Sequence, residues 1–121
     1  MIVVLWVGMA LIGGAGSVLR FVVDGAIASR TGRAFPFGTL VVNISGAVLL
    51  GLVTGLAFSH DRALLVGTAA VGSYTTFSTW MFETQRLGED RQVQNLAANI
   101  VVSLVAGIAA AALGRLIGSH L

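Results

Sequence analysis

The chain has 121 residues, 56% of them hydrophobic and 10% charged, with a mean hydropathy of +0.93, whereas soluble domains carry about 25% charged residues. At about 20 apolar residues per helical span, this is an integral membrane protein with room for four spans and none for a soluble catalytic domain. The seven basic residues are all arginines and the net charge is only +2, with no basic cluster to grip nucleic acid, and the absence of cysteine excludes disulfides and thiolate metal sites.

The N-terminus is apolar from Ile2 without the basic stretch of a cleavable signal peptide, so the first span is expected to be retained. Residues 2 to about 23 form that span, roughly 33 Å long as a helix. Its small residues Gly8, Gly13, Gly14, Gly16 and Ser17 permit close helix approach. Arg20 lies in the apolar end, one turn before Asp24. It either snorkels to the interface and pairs with Asp24 or draws anions into a pore mouth. Residues 24 to 37, with Arg30, Arg33 and the only proline, Pro36, are expected to be a polar connection.

The second span covers about 38 to 58. Thr39, Asn43 and Gly46 share one helical face, which presents Asn43 to a partner helix or to a path rather than to lipid. Gly51 and Gly55 form a GxxxG pair suited to close helix crossing. Ser59 to Arg62 is expected to be a tight turn that makes the second and third spans antiparallel neighbours.

The third span, about 63 to 86, carries the most informative stretch, GSYTTFSTWMFE at 72 to 83. A glycine followed by paired threonines has poor helix propensity, so Gly72 to Thr76 is expected to break the helix. Irregular backbone at membrane depth must be buried in protein or face water, and its freed carbonyls suit a cation. Beyond the break, Phe77, Trp80, Met81 and Thr84 share one face, and Thr76, Thr79 and Glu83 another. Isolated aromatics of this kind usually serve packing, but these are interleaved with hydroxyls.

Arg86 to Arg91 reads as a charged loop with Gly88 as the helix stop. The fourth span, about 93 to 117, carries a stripe of Asn95, Asn99, Ser103, Gly107 and Gly114. No internal repeat is evident, so symmetry must come from a second copy. The fold expected is an all-α membrane domain of four transmembrane helices, broken in the third.

Hydroxyl and amide protons of Ser, Thr and Asn are donors, and aromatic ring edges are electropositive. Such a lining replaces the hydration shell of a small, hard anion without fixed charge, and weak contacts at several points let the ion leave. Both histidines lie outside the spans, so no Ser/His/Asp set forms and no enzymatic activity is expected. A small multidrug-type exporter requires an acid within the first span, and none occurs between Met1 and Arg20. A non-conducting membrane assembly subunit is the third reading.

Three segments, GGAGSVLRF at 13 to 21, FGTLVVNISG at 37 to 46 and GSYTTFSTWMFE at 72 to 83, closely resemble the signature segments of the Fluc (CrcB) fluoride channels, over the whole chain in spacing and length. The resemblance implies a passive, fluoride-selective channel of the bacterial inner membrane that relieves fluoride toxicity without ATP or an organic cofactor. It further implies an antiparallel, dual-topology dimer with a structural sodium ion at its centre, bound by backbone carbonyls of Gly72 and Thr75. By the same motifs Asn43, Phe77, Ser78, Thr79 and Trp80 line the pore, with Asn99 and Ser103 from the fourth span. Arg20 and Glu83 mark its mouths. Two positions depart from the family pattern: Trp80 stands where Phe is usual, and Asn99 where Tyr is frequent.

Arg30, Arg33, Arg86 and Arg91, with Arg20 near them, fall on one side, against Arg62 and Arg115 on the other. The positive-inside rule then places the segments at 24 to 37 and 86 to 92 in the cytoplasm. This bias leaves two partners open: a second copy in inverted orientation, or an oppositely oriented paralogue.

Overall fold

A computed structural model describes residues 1–121 and is entirely helical. The first helix, α1, runs Ile2–Thr31 and stops at Gly32, whose φ of 76° lies in the left-handed region open to glycine and whose N–H donates to Ala28 O at 2.8 Å. Residues 24 to 31, expected as part of a connection, are therefore helical. Their polar side chains do not interrupt the main-chain ladder, because only Gly32 provides a stop. Helix α2, Phe37–Leu56, begins directly after Pro36, where a missing N–H costs nothing.

The turn expected at Ser59 to Arg62 is shorter than that stretch. Helix α3, His60–Ala63, already starts within it and passes without a gap into a π-helical run, Leu64–Val71, and a last turn α4, Gly72–Tyr74. Gly72 is itself helical, with φ −61° and ψ −37°. Helical geometry ends one turn later, at Thr75, which is extended with φ −78° and ψ 161°. Helix α5, Ser78–Glu89, follows. It runs past Gly88, and the reversal falls instead on Arg91, at φ 58°, with Gln92 N–H closing on Leu87 O at 2.9 Å. Helix α6 is Val93–Ser119.

Three helices, α1, α2 and α6, are each long and apolar enough to cross a membrane. The most extensive packing is between α2 and α6, while α1 lies against the π-helical run and α4. At the α2–α6 crossing, Gly51 and Gly55 face the backbone of Ala111 and Arg115, and Gly114 and Gly118 face that of Val48 and Leu52. A Cβ on any of the four would run into main-chain atoms, so the absence of side chains sets how closely these helices approach.

The interior is small. Only 19 of 121 residues are buried, and large apolar side chains such as Trp6, Phe21 and Ile108 point outward at 64%, 81% and 72% exposure. In water such a surface would drive aggregation, but in a bilayer lipid or a partner covers it.

Candidate functional site

The non-helical residues Thr75 to Phe77 are held by side chains from α1 and α2. Asn43 of α2 makes two bonds to Thr76: its Nδ2 donates to Thr76 O at 2.9 Å, and its Oδ1 accepts the Thr76 N–H at 2.8 Å. One amide side chain thereby satisfies both main-chain groups of a residue that has left the helix. Arg20 of α1 reaches across and donates from Nη1 to Thr75 O at 3.1 Å. Of the two readings of Arg20, the pairing with Asp24 is not made: Asp24 is engaged by Arg33 at 3.5 Å and the guanidinium turns to the unwound carbonyl.

Within the segment the hydroxyls are ordered by direction. Thr76 Oγ1 accepts the Thr79 N–H at 3.2 Å and donates to Thr79 Oγ1 at 3.1 Å, with Ser78 Oγ 3.5 Å away. Thr79 keeps its own proton for an external acceptor. The second Nδ2 proton of Asn43 is likewise uncommitted. Phe77 is 70% exposed and meets Trp80 at a ring-centroid distance of 5.7 Å and an interplanar angle of 76°, an edge-to-face pair.

Two cavities meet at this segment, and Thr76 lines both. The first, about 230 Å³, is bordered by Ser17, Arg20, Phe21, Asp24, Thr39, Val42, Thr76 and Thr79. The second, about 320 Å³, is bordered by Asn43, Gly72, Thr75, Thr76, Phe77 and Trp80 with aliphatic residues of α2 and the π-helical run. The first offers a guanidinium and a hydroxyl proton, and the second offers an amide proton and ring edges. These donors suit a small anion, and the one carboxylate bordering the first cavity, Asp24, is paired with Arg33.

Glu83, on α5, is buried and accepts a short 2.5 Å hydrogen bond from Thr39 Oγ1 of α2. Asn99 of α6 is fully buried and bonds to α5, while Ser103 is half-buried and makes no hydrogen bond within the chain. Arg20, Asn43, Thr75, Phe77, Ser78, Thr79 and Trp80 therefore gather at the interruption. Glu83, Asn99 and Ser103 stand along α5 and α6.

The carbonyls of Gly72 and Thr75, expected to hold a cation, differ in what they already accept. The Gly72 carbonyl loses its normal helical partner, because the Thr76 N–H turns to Asn43, and it accepts no other hydrogen bond in the chain. A free, neutral, hard oxygen fits an alkali cation. Thr75 O already carries the Arg20 guanidinium but retains a second lone pair. No acidic or imidazole cluster competes for a metal.

Among the contacts that the sequence does not foretell are Thr39 to Glu83, Thr84 to Asn99, and Arg86 Nη2 to Arg33 O at 2.8 Å. The last ties the two segments that charge counting placed on one side of the membrane. None of these pairs lies within one turn of the chain, so periodicity could not join them.

An all-helical membrane protein with a donor-rich interruption, braced by an arginine and an asparagine from separate helices, is the class these features define. The family profile described as "CrcB-like protein, Camphor Resistance (CrcB)" matches residues 7–115, and the chain belongs to this family. The "Fluoride-specific ion channel FluC 2" of Mycolicibacterium paratuberculosis is 69% identical over 113 residues, covering 93% of either chain. The FluC 2 protein of Mycobacterium tuberculosis H37Rv is 65% identical over 113 residues, covering 93% of this chain and 90% of its own. "Fluoride-specific ion channel FluC 1" of Rubrobacter xylanophilus is 44% identical over 108 residues, covering 88% and 86%. The chain is a multi-pass protein of the bacterial cell membrane, in a family of ion channels and not an enzyme.

Proposed function

We propose that this protein is a fluoride channel that lets the anion leave the cytoplasm passively. The observation that carries this reading is the 69% identity, over 93% of the chain, to a protein named as a fluoride-specific channel. The donor-rich segment supports it. Asn43, Phe77, Ser78, Thr79, Trp80 and Ser103 line the path, with Arg20 and Glu83 at its mouths; Asn99, also expected in the lining, is 1% exposed and stands behind it. Hydrogen fluoride enters cells as a neutral weak acid and ionises in the less acidic cytoplasm, so a downhill route for the anion relieves the load.

The third span consists of α3 to α5 with the π-helical run, giving four crossings in all. Its free Gly72 carbonyl cannot face hydrocarbon without cost, and Gly72 is exposed in a single chain. This supports burial against a second chain in inverted orientation, either another copy or a paralogue, with sodium held at the shared centre by Gly72 and Thr75 carbonyls from both. When bound there, sodium supplies positive charge to the exposed carbonyls and draws the two chains together.

Purified protein in liposomes should release fluoride rapidly without a proton gradient and hardly release chloride; folded protein that fails to do so overturns the channel reading. Expression of this chain alone should yield a functional, cross-linkable antiparallel dimer if no paralogue is needed. The exporter reading gains little from the longer α1, which carries Asp24, because that carboxylate faces Arg33.

A further inference from the structure

Trp80 of α5 and Asn99 of α6 are bonded to each other. Trp80 Nε1 donates to the main-chain oxygen of Asn99 at 3.1 Å. The Asn99 side chain returns to α5, where Nδ2 donates to Thr84 Oγ1 at 2.9 Å, and that hydroxyl gives its single proton to Trp80 O at 2.8 Å. Trp80, Thr84 and Asn99 thus close a ring of three hydrogen bonds between α5 and α6. The directions are forced: because Thr84 spends its proton on Trp80 O, it can only accept from Asn99.

Burial and polarity give the same reading. Asn99 is 1% exposed and is enclosed between α5 and α6. Asn99 Oδ1 is buried with no partner, a cost that Leu or Met at this position would avoid. Packing alone therefore does not account for an amide here; the bond from Nδ2 to Thr84 does. An indole N–H facing apolar surroundings also needs an acceptor, and the ring supplies one.

We propose that Asn99 and Thr84 are positioning residues that fix the Trp80 indole in its edge-to-face relation with Phe77 and withdraw its N–H from the conduction path. The assignment of Trp80 to a path rests on the channel reading above, but the clamp itself does not. Trp80 then acts through its ring, as a Phe would, and contributes no hydrogen-bond donor to the anion. Asn99 acts through Trp80 and does not touch the ion.

The test uses full-length protein with Trp6→Phe, which leaves Trp80 as the only indole, labelled with ¹⁵N-tryptophan in detergent. Thr84→Val keeps the indole's own acceptor, the Asn99 main-chain oxygen, but removes the Asn99–Thr84 bond that holds α6 on α5, so exchange of the indole proton with deuterium should quicken roughly threefold to tenfold, as for opening weakened by one neutral hydrogen bond, and return to the parent rate in Thr84→Ser. Should Thr84→Val fail to fold, Asn99→Leu, which fills the site without the donor, gives the same readout. An unchanged rate in the folded variant, or no recovery with Thr84→Ser, overturns the clamp. In liposomes Thr84→Val should raise chloride release relative to fluoride, and should add nothing in a Trp80→Phe background; additive effects overturn the proposal. If the parent protein conducts no fluoride while the exchange rates behave as stated, the clamp stands and the channel reading alone falls.

Discussion

Asn43 on α2 grips Thr76 by both its N–H and its C=O, at 2.8 and 2.9 Å, and so replaces with one side chain the two helical bonds that Thr76 gives up. The interruption is thus built into the packing of α2 against α4 and α5 and does not arise from weak helix propensity alone. Asn43→Leu keeps the volume and strips both partners from a part-buried main chain. Each unpartnered group costs about 1–3 kcal/mol, so thermal unfolding in detergent should show a loss of at least about 2 kcal/mol together with collapse of fluoride release. Unchanged stability would mean that water or a second chain already serves Thr76.

Phe77 separates conduction from folding. The side chain is 70% exposed, and the only aromatic ring it meets is that of Trp80. Phe77→Ile should change stability by about 0.5 kcal/mol or less, as for an exposed site, while fluoride release falls by roughly tenfold or more, the effect on a rate of losing a contact of about 1.4 kcal/mol. Parent-like flux would show that the ring serves packing alone.

Arg20 has two duties that salt can distinguish. Its guanidinium borders the first cavity and donates to Thr75 O. Arg20→Gln retains a donor long enough to approach the carbonyl but removes the charge. Fluoride release should drop at low ionic strength, and the gap should narrow as salt shortens the Debye length from about 30 Å at 0.01 M to about 8 Å at 0.15 M. A defect independent of salt would assign Arg20 to bracing the interruption and not to drawing in anions.

Glycines differ in consequence according to what stands opposite. A Cβ at Gly114 meets the Val48 carbonyl and main chain of α2, whereas a Cβ at Gly14 has open space within 4 Å. Gly114→Ala should therefore cost about 1–3 kcal/mol through overpacking of the α2–α6 crossing. In a single chain Gly14→Ala should gain about 1 kcal/mol from helix propensity. A destabilised Gly14→Ala would point to a second chain packed on that face of α1, and cross-linking from position 14 would check it.

Much of the protein follows from composition and periodicity. The membrane class, the apolar stretches of α1, α2 and α6, and the concentration of hydroxyls and aromatics between Gly72 and Glu83 are local properties of the chain, set by hydropathy and by one-turn spacing. The family signature lies in the same contiguous segments. Boundaries were harder to read: polar residues 24 to 31 continue α1, and α5 outruns Gly88, because a helix ends where a residue adopts a reversing φ, at Gly32 and Arg91, and not where its side chains become polar.

What the tertiary structure alone decided is the pairing of groups far apart in sequence: Arg20 with Thr75, Thr39 with Glu83, Asn43 with Thr76, and Trp80 with Asn99. Each joins a side chain on one helix to a polar group on another helix or on the interruption, and helical periodicity says which face a residue occupies but not which element arrives opposite it. That choice is made by the close α2–α6 crossing at four glycines and by the seating of α1 on the π-helical run. Once those contacts set the depth and rotation of each helix, every polar group left in an apolar setting must bond to what lies within reach, and Trp80 and Asn99 find one another for that reason.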